Sequence, residues 1–222
     1  MPLPANFDSA LLDGILADWL CALREFSVDA LLVLGPDPFA DQDGRLVLAL
    51  HPPRLLEAAN ALAASQDFGA PWRESDAPLV AWQDISRTGH DSQCRWRRLW
   101  LAHGYRSVVR IAFPIPAGRA FECYLFSSRQ WHDRSEPAQL AWSALNIWPL
   151  LKQALADARS PLSPRERECL VLAFQGLTAR ATGEALACSE RTVNFHLANA
   201  MGKLQVDNKM AAVQRACWLG LI

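Results

Sequence analysis

Very little charge of either sign is left over in this chain. Lys and Arg number 22 against 23 Asp and Glu in 222 residues, a formal net charge of −1. That balance argues against a protein that coats nucleic acid or an anionic membrane by charge alone. No CxxC pair and no His-partnered zinc spacing occurs, so the six cysteines (Cys21, Cys94, Cys123, Cys169, Cys188, Cys217) read as reduced thiols within apolar runs. No apolar run reaches the roughly 18 residues that a membrane span needs, and no basic stretch leads into an apolar one at the amino terminus. The expectation is a cytoplasmic protein without membrane contact. GxSxG, P-loop, HExxH and paired His/Cys arrangements are all missing, and His51, His90, His103 and His132 are scattered. An enzyme is therefore not expected, nor a metal or cofactor.

What the chain does have is apolar bulk, 51% of its residues, enough for one large or two modest cores. It also has a run of capped helices over its last sixty residues. Ser163-Pro164-Arg165-Glu166 can form a capping box with proline at the first helical position. The helix carries Leu170, Ala173 and Phe174 on one stripe and meets Gly176, a left-handed stop. Thr178 caps a second, short helix through residue 187, and Ser189 caps a third after the tight step Cys188-Ser189. Two short helices joined so closely match the helix-turn-helix, whose second helix enters the major groove.

The third helix can be read by its faces. At about 100° per residue, Val193, Leu197, Ala200, Met201 and Leu204 share a core face. Arg191, Phe195, Ala198 and Gly202 lie opposite, with His196, Asn199 and Lys203 on one flank and Asn194 on the other. An ordinary solvated helix would centre charge, not Phe195, on its outer face. A groove-facing helix can set an aromatic ring against a thymine methyl and an amide against adenine. Residues 161–222 hold seven Lys and Arg against five acids, so +2, and the remainder is −3. Such a small excess makes too few contacts for one copy, which predicts a symmetric homodimer on a palindromic double-stranded operator.

These residues also carry a family resemblance. LSPREREC…LAFQGLT…RTVNFHLANAMGKLQVDNKMAAVQRACWLGLI, residues 162–222, closely resembles the GerE-type, or LuxR-type, helix-turn-helix domain. The resemblance implies four helices, with the third reading base edges and the last (residues 208–219) forming a dimer contact around Ala211, Ala212, Arg215 and Trp218. The helical faces described above assign sequence choice to Arg191, Asn194 and Phe195 and general affinity to His196, Lys203 and Lys209. Thr178, Ser189, Thr192 and Asn199 complete the candidate DNA surface. Ala181 stands where the family usually has an acid, and Asn194 where it commonly has lysine.

The first 158 residues read differently. Helical spacing marks residues 8–26, 53–65, 91–103 and 135–158, and apolar strands are expected at 29–34, 45–50, 107–113 and 120–126. A Gly-, Pro- and Asp-rich loop is expected between the second helix and Trp82, and a linker at 159–161. The whole is predicted as α+β, an α-β-α sandwich at 1–158 followed by an all-α four-helix domain at 162–222. Eight of the nine tryptophans fall in the first part, where they can fill a core or line a ligand pocket.

The order of elements resembles the autoinducer-binding domain of quorum-sensing regulators. Asp67 precedes Trp82 by fifteen positions with Pro78 between, as in the family segment that supplies an aspartate and a pocket-wall tryptophan to an acyl-homoserine lactone. The resemblance places Trp96 and Trp100 on a pocket helix. It also finds Arg54 and Ala58 where relatives carry the lactone-binding tryptophan and tyrosine, Phe68 where they carry proline, and Val108 where they carry glycine. The expected ligand set is therefore Arg54, Ala58, Asp67, Trp82, Trp96, Trp100 and Val108, around a small apolar signal molecule other than a common lactone. A ligand-independent regulator, or an antiactivator acting through heterodimers, is the alternative.

Overall fold

A computed structural model describes residues 10–36, 44–65, 79–86, 94–115 and 119–222, and the chain divides into two units, Met1–Leu155 and Ala156–Ile222. The division falls inside the long helix Ser135–Arg159, ahead of the segment 159–161 that the sequence marks as a linker.

The amino-terminal unit is built on a five-stranded antiparallel sheet of order β2-β1-β5-β4-β3. Its strands are β1 Val28–Pro36, β2 Arg45–His51, β3 Val80–Asp84, β4 Ser107–Ile115 and β5 Arg119–Ser127. Four helices accompany them: α1 Ala10–Ala22, α2 Leu56–Ala63, α3 Arg95–Ala102 and α4 Ser135–Arg159. Pleating divides the sheet residues between two faces. Ala30, Leu32, Leu34, Val108, Tyr124 and Phe126 form one buried cluster with Leu55, Ala58, Ala59 and Leu62 from the α2 region and Trp96 and Trp100 of α3. On the other face, Phe113 stacks on Trp148 of α4 with ring centroids 4.0 Å apart. The Trp19 indole of α1 donates to Ser143 Oγ of α4 at 2.9 Å. Helices thus cover both faces of one antiparallel sheet, the α-β-α sandwich read from the sequence.

One strand was not foreseen. β3 lies where the sequence suggests only the end of a loop, and Trp82 belongs to it. Its five residues, VAWQD, lack an apolar alternation, and they take the strand conformation from main-chain pairing with β4 at the sheet edge. The buried Arg97 of α3 holds the exit from that strand, donating to the carbonyls of Ile85 at 2.9 Å and Asp84 at 3.0 Å.

Ion pairs also enter this interior. Arg110 Nε donates to Glu122 Oε1 at 2.6 Å, and Arg45 Nη1 donates to Glu122 Oε2 at 3.0 Å. Arg45 also donates to the Leu62, Ala63 and Ser65 carbonyls, closing the carboxy-terminal end of α2. Breaking such a buried set by removing one partner costs about 3–5 kcal/mol, because it strands an uncompensated charge.

The carboxy-terminal unit contains α5 Pro164–Phe174, α6 Ala179–Ala185, α7 Glu190–Leu204 and α8 Lys209–Trp218. The Ser163 capping box is complete: Glu166 N donates to Ser163 Oγ, and Ser163 N donates to the Glu166 carboxylate at 2.7 Å. Gly176 takes the left-handed conformation (φ 88°) that the sequence predicts at the end of α5. Cys169, Leu170, Val193, Leu197, Ala200, Leu204, Ala212, Val213 and Ala216 are among the buried residues of a single core.

Candidate nucleic-acid interface

The orientation of α7 follows from local chemistry at its start. Thr178 Oγ1 accepts from Ala181 N at 3.2 Å to cap α6, and Ser189 Oγ accepts from Thr192 N at 3.1 Å to cap α7. The Ser189 and Thr192 hydroxyls are also 2.8 Å apart. Between the two helices the chain passes close to Gly183. A Cβ there would lie 2.7 Å from the Cys188 carbonyl oxygen and 3.3 Å from Glu190 N. Only glycine lets the turn sit this near to α6.

The faces of α7 fall as its spacing predicts. Val193, Leu197, Ala200 and Leu204 are buried, and Met201 is half-buried. Phe195 is 62% exposed, with its ring edge-on to His196 at 5.9 Å. Arg191, Asn194, Ala198 and Gly202 are exposed, while Thr192, His196 and Asn199 are half-buried on the flanks. Lys209 is exposed in the first turn of α8, just after the Asn208 cap, whose side chain accepts from Ala211 N at 2.9 Å. Small residues at 198 and 202 leave room for another backbone or a phosphate; around Gly202 an added Cβ would meet nothing within 4 Å.

Lys203 departs from its expected place. Its ammonium donates to Glu166 Oε2 at 2.8 Å, across to the capping box of α5. Burial raises the Glu166 carboxyl pKa, but the hydrogen bonds from Lys203 and from the Ser163 N–H outweigh it and hold the group below the ordinary glutamate value. Other basic residues are engaged too. Arg165 pairs with Glu168, Arg167 with Asp157 and Arg180 with Glu184, and Arg215 donates to the Gln205 carbonyl. Of the seven cations in residues 161–222, Arg191 and Lys209 stand exposed outside these interactions.

The candidate ligand residues of the other unit separate into groups. Ala58, Trp96, Trp100 and Val108 meet in one buried cluster on the α2/α3 face of the sheet. Trp82 is not with them. It pairs with Val109 and the neighbouring Gln83 with Val108, so pleating turns Trp82 to the opposite face of the sheet. The fifteen-residue spacing from Asp67 carries no information about that register, and Asp67 lies outside the described residues. Arg54 is exposed in the single helical turn Pro53–Leu55, near enough to Tyr105 for its charge to act on that hydroxyl. Burial, then Asp29, raises the Tyr105 pKa to about 12, with Arg54 opposing them.

Several residues of this cluster were missed from the sequence. Trp100 stacks face to face on Phe126 at 3.4 Å and meets Tyr105 edge-on at 5.4 Å. The alternation of Tyr124 and Phe126 in β5 was the available signal for the sheet side of this stack. Among the described residues, the buried Trp100 indole N–H and the Gln83 side-chain oxygen have no hydrogen-bond partner, one a donor and one an acceptor on the same face.

Comparison with known proteins gives this geometry a context. Residues 160–216 match the family described as bacterial regulatory proteins, luxR family. The transcriptional activator protein SolR of Ralstonia nicotianae is 35% identical over 129 residues, which cover 57% of this chain and 51% of that protein. The transcriptional activator protein LuxR of Aliivibrio fischeri is 40% identical over 127 residues, covering 52% of this chain and 50% of that one. The chain thus spans about half the length of the curated relatives it matches. Across 95% of the chain the fold resembles the crystal structure of Escherichia coli SdiA, with a TM-score of 0.52, 22% identity and 92% of that chain covered. No described helix is long and apolar enough to cross a membrane.

Proposed function

We propose that this chain, whose residues 160–216 match the luxR family of bacterial regulatory proteins, is a transcriptional regulator that binds duplex DNA as a homodimer. The observation that carries the reading is the outer face of α7. A 62% exposed Phe195 sits at its centre with Arg191 and Asn194 beside it, on a helix fixed by its Ser189 cap. Phe195 meets a thymine methyl, Asn194 and Arg191 read base edges, and Lys209 meets phosphate. Two copies are required, because Arg191 and Lys209 alone supply too little charge for the usual specific affinities.

The test is selection of a duplex from a random pool by the full-length protein, followed by titration of the selected and a random duplex. Phe195→Ala lowers the ratio of the two affinities by roughly tenfold, as loss of a base contact of about 1–3 kcal/mol requires. An unchanged ratio refutes the groove-facing assignment. A single half-site held at nanomolar strength by a monomer refutes the dimer.

The amino-terminal unit receives a small, largely apolar molecule with at least one hydrogen-bond donor. Support comes from the aromatic cluster of Trp96, Trp100, Tyr105 and Phe126, from the unpartnered Trp100 N–H within it, and from the unpartnered Gln83 oxygen on the same face of the sheet. The resemblance in fold extends to SdiA in complex with octanoyl-rac-glycerol, at a TM-score of 0.51. Arg54 and Ala58 in place of the usual lactone partners argue for a different polar head group. The close face-to-face stacking of Trp100 on Phe126 favours the second reading, a solid core in a ligand-independent regulator that acts through DNA or through heterodimers.

A further inference from the structure

A lysine near the end of a reading helix is the usual candidate for a phosphate contact, yet the Lys203 ammonium is already engaged. It lies 2.8 Å from Glu166 Oε2, the same oxygen that accepts from the Ser163 N–H at 2.7 Å. Glu166 is buried, so its carboxylate sits where water competes poorly, whereas the Lys203 side chain is 42% exposed. One carboxylate therefore ties the capped first turn of α5 to the last turn of α7. The ion pair is also placed favourably for its helices, with the acid in the first turn of α5 and the cation in the last turn of α7. Turning Lys203 outward to phosphate would leave the buried Glu166 with the Ser163 N–H and Oγ region alone, a charge without its counter-ion.

We propose that Lys203 is a positioning residue and not a DNA contact: with Glu166 it sets the angle at which α7 is presented to the duplex. The proposal rests on the DNA-binding reading above and adds to it the positioning role of Glu166, a residue outside the predicted contact set. Lys209 remains as the cation that faces phosphate, beside the base-reading Arg191. The two roles leave different marks. A phosphate contact contributes to the salt dependence of binding and little to sequence choice, whereas a positioning contact does the reverse.

The experiment uses the full-length chain, the duplex it selects and a random duplex, titrated across a salt series. Lys203→Met is expected to leave the slope of log K against log salt unchanged on the random duplex, while the specific-to-random ratio falls about tenfold or more. Lys209→Met, as the contrast, makes the slope shallower by about 0.9 per subunit. Glu166→Gln reproduces the loss of ratio seen with Lys203→Met, and the double variant is no worse than either single. Lys203→Arg, which can keep the ion pair, restores most of the ratio. Should Lys203→Met prove unfolded, Lys203→Arg and Glu166→Gln still decide the matter, since a phosphate contact predicts full specificity for Glu166→Gln. A shallower slope with an unchanged ratio for Lys203→Met overturns the proposal. A wild-type chain that selects no duplex refutes DNA binding itself, a failure visible before any variant is made, and takes this proposal with it.

Discussion

Gly183→Ala tests the packing that fixes the helix-turn-helix. The new Cβ would stand 2.7 Å from the Cys188 carbonyl oxygen and 3.3 Å from both Glu190 N and the Ser189 carbonyl carbon. All three are backbone atoms, so no side chain can rotate away. Recovering an ordinary 3.4 Å contact requires the turn to retreat by about 0.7 Å. The same turn is held by the bond from Cys188 N to the Gly183 carbonyl at 2.9 Å, which must stretch with it. Overpacking of this kind costs about 1–3 kcal/mol. Against it stands the gain from replacing glycine by alanine in a helix, roughly 0.8–1.0 kcal/mol. The clash wins in most of that range, leaving a net loss of about 1 kcal/mol. For a unit of 60–100 residues that corresponds to a fall of about 4–8 °C in melting temperature. Binding should suffer more than folding, because a shifted turn re-aims the whole of α7. A lost base contact worth about 1.4 kcal/mol is already tenfold in specific affinity. Gly202→Ala is the control. Its Cβ meets nothing within 4 Å and the position is exposed, so this substitution stabilises the unit by roughly 0.8–1.0 kcal/mol. If the outer face of α7 lies in the groove, it weakens DNA binding all the same. Hydrogen exchange of backbone amides in residues 179–204 of the full-length protein reports the local stability, and duplex titration reports the binding. A Gly183→Ala protein with slower exchange than wild type and unchanged specific affinity would refute the reasoning, since the close approach would then constrain neither helix.

Ser189→Ala removes the acceptor for Thr192 N and should destabilise the start of α7 by about 1 kcal/mol, whereas Ser189→Asp retains the cap; faster exchange at 190–193 in the alanine variant alone checks this. The depressed pKa of Glu166 fixes a sign: its stabilisation is fully present above the ordinary glutamate pKa of about 4.3 and is lost as pH falls through the lower folded value. Melting of the carboxy-terminal unit between about pH 6 and pH 3 should therefore be less acid-sensitive in Glu166→Gln, and parallel curves would remove the inferred linkage. In the amino-terminal unit, common acyl-homoserine lactones should leave the melting temperature unmoved, while a matching metabolite at a hundredfold excess over its Kd adds roughly 2.7 kcal/mol. Strong stabilisation by an ordinary lactone would sink the argument from Arg54 and Ala58, and Asp67→Ala should reduce the effect of the true ligand.

How far each unit could be read in advance depends on how local its signals are. The carboxy-terminal helices announce themselves within three or four residues, because a cap is a contact between near neighbours. Ser163, Thr178, Ser189 and Asn208 each accept the N–H that their position implies. The buried face of α7 is equally local, a matter of 3.6-residue spacing. In the amino-terminal unit the four longer strands carry enough apolar residues to be recognised. β3 does not, and it exists because β4 offers it a ladder.

Two side chains meet surroundings that spacing along the chain could not foresee. Trp82 was grouped with Trp96 and Trp100 by its distance along the chain from Asp67, but side-chain direction in a strand depends on register against a partner. Gln83, one residue on, pairs with Val108 and faces the aromatic cluster; a one-residue change of register would have exchanged the two. Lys203 was assigned to the DNA surface by a helical wheel, which locates the Cα and not the end of a long flexible side chain. Its ammonium reaches Glu166, 37 positions away in sequence, because α5 and α7 pack together around Cys169, Leu170, Val193 and Leu197. Arg110 and Glu122 show the same logic inside the sheet. Each interrupts an apolar strand and would read as a surface position, yet they face inward on neighbouring strands, 2.6 Å apart, where each supplies the partner that makes the other's burial tolerable.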